Sequence, residues 1–202
     1  MNAIYYIGGS PCSGKSTIAE ALAEKYNLQY LKIDDFLDDF TALGAAEGQP
    51  ICQMWAESTA EELWMCDPEV LCAEEIQYYK EIEKYIINKL NSIKNKNGII
   101  TEGTAWTPEL INKLKINKNN YISITPSPEF QVIQFKQREW VRYALEGCRD
   151  QIGAFTNWMG RDILFAEEIQ KQCKELGFES LINDGSVPVE ELIKKVEKHF
   201  EL

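Results

Sequence analysis

Residues 3–17 read AIYYIGGSPCSGKST. Residues 3–7 form a short apolar run of β-forming type, and residues 18–26 continue with Ala and Leu at helical spacing. Between them lies G-x-x-x-x-G-K-S, which runs from Gly9 through Ser10, Pro11, Cys12 and Ser13 to Gly14, Lys15 and Ser16, with Thr17 following. Strand, glycine loop and helix in that order are the context of a phosphate-binding loop. The residue types follow from the chemistry. A nucleotide phosphate chain needs many donors at close range, and Gly9 and Gly14 let the backbone turn so that several N–H groups point inward. The helix that starts near Gly14 adds its positive dipole end. Lys15 is placed to reach the β- and γ-phosphates, and the Ser16 hydroxyl to ligate Mg2+.

Size and charge narrow the field. A chain of 202 residues is read as a single domain over 1–202, large enough for a sizeable core. A net charge of −11 argues against a general nucleic-acid binder and against an anionic membrane surface as partner. No apolar run reaches membrane-spanning length, and no basic segment precedes an apolar stretch at the start. The six cysteines form no C-x-x-C pair and there is one histidine, so a zinc site is not expected. A reduced, cytoplasmic compartment fits this cysteine usage. Cys12 lies in the loop, where a helix N-terminus can lower a thiol pKa and make it oxidisable; a tolerated spacer position is the plainer reading.

With the loop in hand, the chain resembles the P-loop kinases, the small nucleoside, nucleotide and metabolite kinases. The next landmark supports this. Residues 28–33 (LQYLKI) read as a second strand that ends in Asp34-Asp35-Phe36. Ligands of doubly wound sheets sit at the carboxyl ends of strands, so two carboxylates there fall where an acceptor meets the γ-phosphate. A helix N-cap is the competing role for either Asp. The phosphate loop followed by D-D-F looks like the nucleoside-kinase-like branch, and that resemblance implies that Asp34 removes the acceptor hydroxyl proton. Which of Asp34 and Asp35 does so stays open.

An acceptor-binding insertion is expected over about 36–97. Within it, Gly44, Gly48 and Pro50 break residues 38–67 into loop and short helix, with Trp55, Trp64 and Met65 giving an apolar face. Residues 68–93 read as a long helix with Ile76, Tyr79, Ile82, Ile86 and Leu90 on one stripe, stopped at 95–98. Residues 98–103 (GIITEG) read as a third strand with Glu102 at its end. An apolar strand closing in an acid resembles Walker B. That implies Glu102 holds Mg2+, directly or through water, or contacts the acceptor; a strand-end turn with Glu in solvent is the alternative. Gly103 and Trp106 would line the acceptor pocket. Thr107-Pro108 is a helix start, with Thr as cap and Pro at the first position.

Residues 121–124 form the fourth strand, and a long helix is expected from the Pro126–Pro128 stop to about Gly147. All four arginines fall at 138, 142, 149 and 161. On a continuous helix Arg138, Arg142 and Arg149 would share a face. The resemblance is to a kinase lid, here about 136–162, whose arginines close over the phosphates, with Arg138 and Arg142 as the main pair and Gly147, Gly153 and Gly160 as hinges. Pairing with nearby Glu139, Glu146, Asp150 and Asp162 is the alternative. Residues 162–176 read as a further helix, 178–182 as the fifth strand and 188–200 as the closing helix. The turn between the last two, Asp184-Gly185-Ser186, is weakly placed at the adenine site by the resemblance, and a plain tight turn looks the same.

Strands alternating with helices give an α/β three-layer fold with a five-stranded parallel sheet. The family order is 2-3-1-4-5, with a helical lid. The function implied is transfer of the γ-phosphoryl of ATP, with Mg2+, to a small hydroxyl-bearing acceptor of nucleoside, metabolite or antibiotic type. No arginine occurs before Arg138, which disfavours an acceptor that carries a phosphate. A nucleoside monophosphate kinase of the cytidylate or adenylate type is the second reading. An ATP-binding regulatory NTPase without an acceptor is the third. The expected partner is a small molecule, and the chain is expected as monomer or homodimer.

Overall fold

A computed structural model describes residues 3–93 and 97–202. The chain runs β1 (Ile4–Gly8), α1 (Lys15–Tyr26) and β2 (Gln29–Lys32). A 3-10 turn, Ile33–Phe36, leads into α2 (Leu37–Ala46), α3 (Pro50–Glu57), α4 (Ala60–Trp64) and α5 (Pro68–Ser92). Then come β3 (Ile99–Glu102), α6 (Pro108–Lys113), β4 (Tyr121–Pro126), α7 (Pro128–Lys136) and α8 (Trp140–Ala144). The chain closes with α9 (Gln151–Leu176), β5 (Glu179–Asn183) and α10 (Val189–Phe200). Residues 95 and 96 of the expected stop after α5 lie outside the described residues.

The five strands are parallel, in the order β2-β3-β1-β4-β5. The parallel α/β sheet is what the alternation of elements implied, and its order is the one that the resemblance to P-loop kinases implied. Side chains on each strand alternate between two cores, as the two-residue repeat demands. On β1, Tyr6 faces a core built with α5, α6 and α9, and Ile7 faces one built with α1 and α10. β3 and β4 divide in the same way, Ile99 and Tyr121 on one side, Ile100 and Ile122 on the other. The helices therefore cover both faces, and the strand ends stay open for chemistry. Ile7 and Lys32 both pair with Glu102, which levels the carboxyl ends of β1, β2 and β3.

Two expectations are corrected. The long helix to Gly147 is broken into α7 and α8 at residues 137–139, with no Pro or Gly there. Packing accompanies the break: Trp140, 47% exposed, lies against Phe135 (ring centroids 6.2 Å apart) and Trp158 (5.6 Å). Consequently Arg138, Arg142 and Arg149 do not share one helix face. The following helix begins at Gln151 rather than 162, capped by the Asp150 carboxylate accepting from the Gly153 amide. Gly153 and Gly160 thus lie inside α9 and are not hinges. At Gly160 a Cβ would sit 2.9 Å from Pro68, so this glycine lets α9 press on the start of α5. Gly160→Val is expected to lower stability by about 1–3 kcal/mol in urea unfolding through this overpacking. A wild-type unfolding curve would show that the glycine is not a packing contact.

Candidate active site

The phosphate loop is wedged against the sheet. Gly9 has φ +117°, and a Cβ there would overlap the Ile124 carbonyl. Gly14 has φ +89° and caps α1, which has no side-chain cap and no acid in its first turn. Those free first-turn amides are an anion site by construction. The Lys15 ammonium, nearly buried, donates to the Ser10 carbonyl at 2.6 Å and to the Ser13 hydroxyl at 3.5 Å. The Ser10 hydroxyl is buried with no hydrogen-bond partner. Cys12 carries a strained φ of +61°, and burial pushes its thiol up to about 11 despite the charge of Arg138. This agrees with the plainer reading of Cys12 as a spacer position rather than an activated thiol.

Glu102 stands beside Ser16. The Ser16 hydroxyl donates to its Oε1 at 3.0 Å and the Tyr30 hydroxyl at 2.9 Å. Its Oε2 is buried without a hydrogen-bond partner. Burial pushes the Glu102 carboxyl above its ordinary value, with Lys15 pulling it down. An orphaned carboxylate oxygen next to a hydroxyl at a phosphate loop suits a hard cation that keeps most of its ligands from phosphate and water. Among the described residues no group of three or more His, Cys, Asp or Glu is set to hold a metal on its own. The chain's share of a Mg2+ site would be Ser16 and Glu102.

The two aspartates after β2 part company. The Asp34 Oδ1 accepts from the Thr104 amide at 3.0 Å, and its Oδ2 lies 3.5 Å from the Thr104 hydroxyl. The N-cap of α2 is Phe36, with no side-chain hydrogen bond, so Asp34 is not spent on capping. Burial raises the Asp34 pKa; the Lys15 charge and the Thr104 amide oppose the rise. A Cβ on Gly103 would lie 2.8 Å from Asp34 Oδ1, so the glycine makes room for this carboxylate. Asp35 faces solvent and pairs with Lys32 at 2.9 Å.

Trp106 does not line a pocket. It is fully buried, its indole N–H donates to the Thr101 hydroxyl at 2.9 Å, and it packs edge-on against Tyr6 at 5.0 Å. The expectation that it contacts an acceptor is corrected by this packing. The turn expected at the adenine site is tied internally. Asp184 accepts from the Ser186 amide and hydroxyl, and Gly185 packs on Phe130. The contact to the phosphate loop comes from the preceding residue: the Asn183 side-chain amide donates to the Ser13 carbonyl at 3.0 Å. A lone Asn at a strand end carries no distinguishing sequence signal.

The lid arginines separate likewise. Arg138 lies 5.4 Å from the Phe135 ring and 5.9 Å from Trp140. Arg142 donates to the Tyr143 hydroxyl at 2.7 Å. Both edge a cleft of about 900 Å³ between α7–α8 and α9. Arg149 pairs with Glu61 at 3.6 Å. Arg161, the fourth, is buried. Its Nε lies 3.2 Å from Glu75 Oε2, and its Nη2 lies 2.6 Å from Asp162 Oδ1. Burial raises both carboxyls, and Arg161 pulls them down. The charges of Lys15 and Arg138 also act on Asp162, which puts this triad beside the phosphate loop. Glu75 escaped the sequence reading because it sits on a helix rich in solvated acids.

No family model matches the chain. Among curated proteins it is similar to adenylate kinase 2 of Schistosoma mansoni, 28% identical over 125 residues, or 61% of this chain and 46% of that protein. The chain thus spans less than half the length of that relative. Among solved structures it is similar to shikimate kinase from Bacteroides thetaiotaomicron, with a TM-score of 0.54, 14% identity and 99% of each chain covered. Shikimate kinase from Acinetobacter baumannii, in complex with shikimate, gives a TM-score of 0.53 at 15% identity, covering 98% of this chain and 92% of that one. The shared feature is the fold.

Trp106→Phe keeps the ring but leaves the Thr101 hydroxyl buried and unpaired. It is expected to cost about 1–3 kcal/mol in urea unfolding. ATP affinity, read by isothermal titration, should not change; a large loss would return Trp106 to the site.

Proposed function

Taking the P-loop kinase fold as premise, we propose that the chain transfers the γ-phosphoryl group of ATP to a hydroxyl of a small acceptor, with Mg2+. The observation that carries this reading is the Asp34 carboxylate. It is held at the end of β2 by the Thr104 amide, is not used as a cap, and lies within the field of Lys15.

The steps follow from the residues. Asp34 accepts the proton of the acceptor hydroxyl as its oxygen bonds to the γ-phosphorus. The bond from that phosphorus to the β–γ bridging oxygen breaks, and ADP leaves with the electron pair. The loop amides from Gly9 to Thr17 and the Lys15 ammonium hold the phosphates, Lys15 exchanging its Ser10 carbonyl for phosphate oxygen. Ser16 and Glu102 hold the cation, which when bound neutralises phosphate charge. Arg138 and Arg142 close over the transferred group and exclude water. The 184–185 turn, tied to the loop through Asn183, borders the base. Asp35 and Gly103 flank the acceptor, Gly103 by giving Asp34 its space.

Similarity to an adenylate kinase supports the second reading, a nucleoside monophosphate acceptor. Against it, the two arginines that meet the acceptor insertion are already engaged, Arg149 by Glu61 and Arg161 by two carboxylates.

Asp34→Asn is expected to lower kcat by about 10²–10⁴-fold while ATP binding stays nearly intact. Unchanged turnover would remove Asp34 from the mechanism. Because burial raises the Asp34 pKa and the base must be ionised, kcat/KM should fall as pH drops through a value above the ordinary carboxylate range. That acid limb should vanish in Asp34→Asn. ATP binding with no ADP release against any alcohol or monophosphate would favour a regulatory NTPase.

A further inference from the structure

A second cavity, of about 450 Å³, opens between the 36–97 insertion and α9. Its walls include Asp38 and Thr41 of α2, Trp55 of α3, Leu63 and Trp64 of α4, and Arg161 of α9. Its size suits a small ligand. Asp34 lies outside its wall, one turn before Asp38. Trp55 stacks on Tyr78 at 4.3 Å, the Tyr78 hydroxyl meets Thr41 at 2.8 Å, and the Asp34 charge acts on Tyr78. Asp34 and Asp38 stand four residues apart where the 3-10 turn runs into α2.

Asp38 is the one acid in the wall of this cavity. Arg161 is the one cation in its wall, and both Glu75 and Asp162 already hold it. One face of Trp64 stacks on Trp158 at 4.4 Å, and the Arg161 guanidinium lies 5.0 Å from the same indole. An anionic acceptor would have to pull that guanidinium from two buried carboxylates, which leaves charge buried and unpaired. Asp38 is exposed at the rim and forms no ion pair among the described residues. With Trp64 already engaged by Trp158 and Arg161, Trp55 and the unpaired Asp38 carboxylate are the groups that attract a cation.

We propose that the acceptor is an amino alcohol. Its hydroxyl reaches Asp34, its carbon body lies against Trp55, Leu63 and Trp64, and its ammonium meets Asp38. This rests on the transferase reading, and binding and transfer can be read separately.

Three para-substituted benzyl alcohols serve as matched probes: aminomethyl, methyl and carboxylate. Binding is read by tryptophan fluorescence without ATP, and transfer by ADP release with ATP and Mg2+. The aminomethyl compound should bind about tenfold tighter or more than either other compound, an advantage of about 1.4 kcal/mol. Added salt should shrink that ratio. Asp38→Asn should bring the aminomethyl and methyl compounds together, with its melting curve confirming a folded chain. Equal or tighter binding of the methyl or carboxylate compound by the wild-type protein would overturn the proposal, as would no binding of any. Tight aminomethyl binding without ADP release would keep the recognition and sink the transferase reading. ADP release that favours the carboxylate would do the reverse.

Discussion

The end of β3 is the constraint on which the site depends. Within three consecutive residues, Glu102 receives hydrogen bonds from Ser16 and Tyr30, Gly103 clears space, and the Thr104 amide holds Asp34. Parallel pairing sets this level, because both Ile7 and Lys32 register with Glu102. The strand between its two neighbours therefore aligns the phosphate loop on one side and Asp34 on the other. The Thr104 amide holds Asp34 and two hydroxyls hold Glu102, so less side-chain entropy remains to be lost when ligands arrive. Buried acids at that position carry raised pKa values, which is the cost of desolvating them and also what makes a carboxylate a useful base.

A second linkage joins α8 and α9 to α4. Trp64 of α4 stacks on Trp158 of α9, and Trp158 packs in turn on Trp140 of α8. The Asn157 side chain donates to the Trp64 carbonyl at 3.0 Å, and Arg149 meets Glu61. The aromatic stack also meets the loop, since Cys12 packs against the same cluster. Beneath it, Arg161 joins α9 to α5 through Glu75. One partly exposed aromatic layer thus touches the phosphate loop, α8, α9 and α4. Motion of α4 in that arrangement cannot be independent of α8, because stacked rings slide only at the expense of contact area.

Much of the fold was legible in advance because it rests on local patterns. The β-run, glycine loop and helix at 3–26 differ from the observed β1 and α1 by a few residues at most. The capped start of α6 at Thr107 is present, with the Thr107 hydroxyl accepting from the Leu110 amide. What failed depended on contacts far apart in sequence. Phe135, Trp140 and Trp158 pack together where a helix breaks that no residue at 137–139 would break alone. Trp106 is drawn into the core by Thr101 and Tyr6 rather than left in a pocket. Gly160 reads as a hinge until Pro68 is found against it.

The sequence by itself determined the phosphate loop, the α/β class and the acids that end β2 and β3, because glycine placement and apolar periodicity act over a few residues. Tertiary structure alone decided which acid turns inward. Asp34 turns inward to Thr104, and Asp35 turns out to Lys32, although the two are neighbours of identical chemistry. It likewise decided that Arg161 is locked between Glu75 and Asp162 while Arg138 and Arg142 edge an open cleft. The physical reason is common to both. The role of a charged group depends on its desolvation and its partners, and these come from elements that the chain brings together only on folding.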